Sequence, residues 1–169
     1  TVDNATNPGT LFTSDSVCMN SSGFNYLNTY QGNIIDWEES TNNGTNWNSL
    51  NLTGDTLNYT NITNDIMYRV IVKNGSCLSE TSNEIEINIY PFNISTSNDT
   101  TIEEGTSTTI SASGGLFYSW TPTTGLDSPN NSTTVASPLI TTDYIVSIID
   151  SYGCIFQDNV LITVIPIVP

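Results

Sequence analysis

The sequence has no histidine, and its only cations are Arg69 and Lys73. Without an imidazole it lacks the side chain whose ordinary pKa suits proton transfer near neutrality, its lone lysine sits in a strand motif, and no strand-turn-helix nucleophile elbow is visible. An enzyme is therefore not expected. Two cations against 17 carboxylates give a formal net charge of −15. That balance excludes the phosphate contacts of a nucleic-acid binder and the basic patch that anionic lipid requires. No apolar run is long enough to span a bilayer, so membrane insertion is not expected. There is no signal peptide, and a chain that opens at Thr1 without a methionine is expected to be a segment of something longer.

Strong helix formers are scarce beside Thr, Ser, Asn and the β-branched residues, so the chain is expected to be all-β. Its most informative stretch is Met67-Tyr-Arg-Val-Ile-Val-Lys-Asn-Gly-Ser-Cys77, because a variant of it, Asp143-Tyr-Ile-Val-Ser-Ile-Ile-Asp-Ser-Tyr-Gly-Cys154, returns later. In each copy alternate residues (Tyr68, Val70, Val72; Tyr144, Val146, Ile148) are apolar, which predicts a strand with one face on a core, followed by a Gly turn. A repeat spacing of roughly 75 to 85 residues predicts two domains, 1–90 and 91–169, with Pro91 at the boundary.

In the first domain, Phe24–Asn28 and Asn33–Glu39 form an expected strand pair around Gln31-Gly32, with Trp37 as a core residue. Asn43-Gly44 predicts a two-residue hairpin turn with Trp47 on the returning strand. Leu57–Tyr59 and Glu84–Tyr90 are further strands. The second domain follows the same plan, with strands at Ser107–Ser113, Leu116–Trp120 and Val160–Ile165, and Trp120 and Tyr144 as core markers. Ile87–Ile94 aligns with Ile162–Pro169, so the last residues are expected to lead into a further repeat.

Asp99, Glu103, Glu104, Asp127, Asp143 and Asp150 lie at expected turns and strand ends, where carboxylates and carbonyls could gather a calcium ion, though no regular calcium loop is present. No other cofactor is expected. Trp47 and Tyr59 are candidates for cross-strand packing or for a sugar-stacking platform. The outward positions of the two Tyr strands differ: Arg69 and Lys73 in the first domain, Ile145 and Ile149 in the second. Ile145 and Ile149 are therefore the candidate contact face.

Ile35–Trp47, Tyr59–Ile62 and Tyr68–Cys77 together resemble the immunoglobulin-like repeats of giant secreted proteins of Bacteroidota. Tyr118–Pro129, Ala136-Ser-Pro138 and Asp143–Cys154 resemble the polycystic-kidney-disease-like repeats of gliding-associated surface proteins and adhesins. The resemblance implies two tandem immunoglobulin-like β-sandwich domains in an extracellular, cell-surface array exported by the type IX route. The implied role is a non-enzymatic stalk for adhesion or gliding, partnered by neighbouring repeats and by a surface glycan or cell-surface ligand. The alternatives are a sugar- or calcium-dependent binding module and a subunit of a self-assembling filament.

The immunoglobulin-like order Cys18, Trp37, Cys77 implies a Cys18–Cys77 disulfide beside a core tryptophan. Aligning Asp15–Cys18 with Thr100–Glu103 then puts Glu103 where Cys154 would find its partner, leaving Cys154 as a free or intermolecular thiol. The spacing from Ile62 to Tyr68 implies a tyrosine corner, in which the phenol ties down the loop entering its strand. Asp15-Ser-Val and Asp55-Thr-Leu resemble O-glycosylation sites of the same bacteria.

Overall fold

Tyr68, Val70 and Val72 point inward from one strand and Arg69, Ile71 and Lys73 outward, and this alternation organises every long strand of the protein. The computed structural model describes residues 4–12 and 16–167. They fall into two units, Thr1–Tyr90 and Pro91–Pro169, with no helix among the described residues.

The first unit contains β1 (Thr10–Leu11), β2 (Ser16–Val17), β3 (Ser21–Asn28), β4 (Asn33–Ser40), β5 (Asn48–Ser49), β6 (Thr56–Ile62), β7 (Ile66–Lys73), β8 (Glu80–Thr81) and β9 (Ile85–Ile89). One sheet has the order β1-β3-β6. The other runs β2-β9-β7-β4-β5, with β8 also on β7. β2 is parallel to β9, with Val17 opposite Ile89, while β9, β7, β4 and β5 are antiparallel neighbours. Between the sheets lies one core: Leu11, Leu27, Leu57 and Ile62 from the smaller sheet meet Trp37, Tyr68, Val70, Val72, Ile85 and Ile87 from the larger. Each aliphatic side chain removed from water there contributes about 1.5–3 kcal/mol against the entropy of ordering the chain.

The second unit contains β10 (Ser95–Thr96), β11 (Thr100–Glu103), β12 (Thr108–Ser113), β13 (Phe117–Thr121), β14 (Thr133–Ala136), β15 (Thr142–Ile149) and β16 (Ile155–Ile165). Its sheets are β10-β12-β14 and β11-β16-β15-β13. Here β11 is parallel to β16, as β2 is to β9. The two units thus share one strand order, in which the first two strands of a unit join opposite sheets. Each is an immunoglobulin-like β-sandwich, and among the described residues the second lacks counterparts of β5 and β8.

Two local expectations are corrected. Phe24–Asn28 and Asn33–Glu39 do not pair with each other: β3 pairs with β1 and β6, β4 with β5 and β7, so the Gln31-Gly32 connection crosses between sheets. The Asn43-Gly44 turn does have positive φ at both residues (55° and 73°), but it sits within a longer loop that ends at Trp47, just before β5. Ser40 and Asn42 hold that loop open. The Gly44 amide donates to Ser40 Oγ (3.0 Å) and the Asn46 amide to Asn42 Oδ1 (2.9 Å), replacing the ladder bonds a tight hairpin would make.

Candidate functional site

In each unit the tryptophan on the strand paired with the tyrosine-bearing one is fully buried, and its indole N–H donates to a backbone carbonyl farther along the chain. Trp37 Nε1 reaches Gly54 O at 2.8 Å, and Trp120 Nε1 reaches Asn131 O at 3.0 Å. Tyr68 and Tyr144 are buried beside them. In the second unit the Tyr144 hydroxyl donates to Thr124 O at 2.7 Å. That bond pins the connection leaving β13 rather than the loop entering β15. Burial, followed by the nearby Glu39 carboxylate and Tyr59, pushes the Tyr68 phenol up to about 12. These residues build the sandwiches, which leaves the outer faces and ends of the larger sheets for contact with other molecules.

On the outer face of the first unit, Arg69 Nε is 2.6 Å from Glu38 Oε2, and its guanidinium lies over the Trp47 ring, 4.1 Å from the centroid. Glu84 stands 3.9 Å from the same group. Arg69 is thus paired within the face, and Trp47 serves as the platform for it. Next to it a cleft of about 390 Å³ is lined by Ser40, Thr41, Asn42, Asn43, Asp65, Met67 and Glu86.

The outer face of the second unit is different in kind. Ile145 and Ile149 point outward from β15, with Ser147 between them. Register sets Phe117 and Ile155 on either side of Ile149, a row that neither strand displays by itself in the sequence. At one end of this unit a groove of about 820 Å³ runs between Pro122–Gly125 and Ser137–Asp143, with Leu139 and Ile140 exposed on its wall.

The cysteine expectations are overturned. Cys77 keeps a free, half-buried thiol, and Cys18 and Cys154 are disulfide-bonded. The register explains why Cys18 and Cys77 cannot join. Cys77 lies in the turn that follows β7, whereas Cys18 follows Val17, whose partner Ile89 ends β9. The two thus lie at opposite ends of the sheet, and the 8 residues of β7 alone separate those ends by over ~20 Å. A disulfide needs its Cα atoms within about 7 Å. Nor does Glu103 face Cys154: Glu103 pairs with Ile165 at one end of β16, while Cys154 precedes the other end and is buried.

The structure does not bring the calcium candidates together, and no group of three or more potential ligands occurs among the described residues. Most of these carboxylates accept hydrogen bonds within the unit. Asp127 accepts from the Val135 amide (2.8 Å) and the Thr134 hydroxyl (2.8 Å), and these bonds, the amide first, hold it below the usual carboxylate range. Asp150 accepts from the Tyr152 and Cys154 amides, Asp99 from the Leu161 amide, and Asp143 from Asn159 Nδ2. Glu103 and Glu104 are exposed near the end of β11. Thr56, at the start of β6, hydrogen-bonds to Asp55; Asp15, in the other expected glycosylation triplet, lies outside the described residues.

Residues 7–91, just over half of the chain, match the model of a family described as a domain of unknown function, DUF8696. The chain belongs to the DUF8696 family. The DUF8696 match coincides closely with the first unit and leaves the second outside it. Among solved structures, DIP-gamma IG1+IG2 is 14% identical at a TM-score of 0.45, over 92% of this chain and 95% of that one. The insect immune protein hemolin is 12% identical at 0.44, over 95% and 47%. The fibronectin(III)-like modules of Clostridium thermocellum CbhA are 9% identical at 0.34, over 98% and 95%. The chain spans under half the length of hemolin and of the four-domain Dscam1 fragment that it also matches. A search among curated proteins returned no match. Likenesses this distant leave function to the residues of the chain itself.

Proposed function

We propose that this chain is a non-enzymatic structural segment of an extracellular tandem-repeat adhesin or surface fibre, in which serial β-sandwiches supply reach and presentation. The observation that carries this reading is the repetition of one strand order, with the same buried tryptophan–tyrosine arrangement, in two units of a single chain. The disulfide-bonded cysteines suit an oxidising, extracytoplasmic compartment. A strongly acidic surface keeps such segments soluble. Surface attachment or gliding, with export by the type IX route, belongs to this reading through the resemblance of the repeat motifs. Its partners are neighbouring repeats of the same chain or fibre. The turn carboxylates act as caps in this reading.

A second reading, a carbohydrate-binding module, draws on one observation: half-exposed Trp47 adjoins a polar cleft that contains Asn42, Asn43, Asp65 and Glu86. A glycan array separates the two. The structural reading predicts no signal above background. Saturable binding that Trp47→Ala abolishes would replace it with the second reading.

A further inference from the structure

In the second unit, register lines up Phe117, Ile149 and Ile155 across three adjacent strands on the outer face of the larger sheet. Phe117 and Ile155 are each 66% exposed, Leu116 beside them is 65% exposed, and Ile145, farther along β15, is 43% exposed. Single exposed apolar residues are ordinary on protein surfaces, whereas a contiguous row of them marks a contact site.

We propose that this face binds a second copy of the same chain, packed face to face about a two-fold axis lying along the row. Charge selects this occupant. From Pro91 onward the sequence has carboxylates and no cation, so most of the unit's surface repels another copy. The row is the exception. On this sheet face the acids are Asp143 and Glu103, opposite Leu161 and Ile165 at the far end of β16 from Ile155. Asp150, next to Ile149, is buried and turned to the amides of Tyr152 and Cys154. Two copies can therefore meet through the row without bringing carboxylates together, and a two-fold axis along it sends the two acidic ends in opposite directions. A basic partner would find no counter-charge in the row.

The first unit shows what the same face looks like when it is complete within one chain. Arg69 occupies the place of Ile145, stacks on Trp47 and pairs with Glu38, and β5 lies beyond β4. In the second unit, among the described residues, no strand lies beyond β13 in the sheet. The inference goes beyond the structural role proposed above, since the row would pair copies whether or not the chain belongs to a fibre.

Analytical ultracentrifugation of the whole chain tests it, with Cys77 alkylated so that a mixed disulfide cannot imitate a dimer. The chain is expected to form a reversible dimer whose association tightens about tenfold between roughly 0.05 and 0.5 M NaCl, as salt screens the net charge. Because a two-fold axis presents each substitution twice, Phe117→Asp should weaken the dimer by about a hundredfold. Ile155→Asp should do the same and stands in if the first variant fails to fold. Leu139→Asp, in the groove away from the row, should leave the dimer unchanged. A monomer at about 1 mM chain in roughly 0.5 M salt, or a dimer indifferent to both row variants, overturns the proposal. So does a monomer that binds phosphatidylcholine vesicles through the row, which would assign the face to lipid.

Discussion

The hydroxyl of Tyr144 donates to the carbonyl of Thr124 at 2.7 Å, joining β15 to the connection that leaves β13. Tyr144 is fully buried, so Tyr144→Phe leaves that carbonyl short of its partner at almost no cost in apolar packing. The expected loss is about 1–1.5 kcal/mol, read as a lower denaturant midpoint at unchanged slope. An unchanged midpoint would show that the phenol contributes only its ring.

Tyr68 predicts how stability responds to alkali. Its folded-state pKa of about 12 exceeds the ordinary tyrosine value of 10.0, so the neutral phenol is favoured by folding. Below pH 10 both states keep the proton and the stability is whole. Between about pH 10 and 12 the unfolded chain loses its proton first, and stability falls by up to about 1.4 kcal/mol per pH unit. Tyr68→Phe should flatten that part of the profile. If wild type and variant lose stability in parallel, Tyr68 is not the group responsible.

The Arg69–Trp47 stack can be followed optically. Arg69→Met keeps the aliphatic stem but loses the guanidinium over the ring and the bond to Glu38. Trp37 and Trp120 are fully buried, so the change in tryptophan emission should come from Trp47. The expected result is a red shift with a loss of about 1 kcal/mol, since the ion pair is partly exposed. No shift would mean that the stack does not persist in solution.

The cysteines should separate by chemistry. Iodoacetamide without reductant should label Cys77 alone, and Cys18 and Cys154 should label only after reduction under denaturing conditions. Peptide mass mapping reads this directly. Labelling of Cys154 before reduction would contradict the assignment. Cys77→Ser should change stability by no more than about 0.5 kcal/mol.

These features were legible in the sequence to different degrees, for physical reasons. The Tyr68–Val72 and Tyr144–Ile148 alternation announces inward faces because side chains on a strand obey a period of two whatever lies around them. The same alternation placed Ile145 and Ile149 outward. The flanking of Ile149 by Phe117 and Ile155 depends on register, which is set by turns and bulges far from those residues. The cysteine pairing failed for a related reason. The order Cys, Trp, Cys along the chain does not say at which end of a sandwich each cysteine emerges, and the parallel pairing of β2 with β9 sends Cys18 to the end opposite Cys77. The parallel partners β2 and β11 are themselves short or polar, and carry little periodic signal. The groove walled by Leu139 and Ile140 was equally hidden, because two connections separated in sequence form it.

The central claim is that one plan is built twice, with the strands bearing Trp37 and Trp120 and their tyrosine-bearing neighbours at the heart of each unit. Amide hydrogen exchange across the whole chain tests it most directly. The slowest amides should fall in two matching sets, on β4 and β7 around Trp37, Val70 and Val72, and on β13, β15 and β16 around Trp120, Val146 and Val160, with β1 and β10 exchanging early. Protection confined to one unit, or strongest in β1 and β10, would contradict the account.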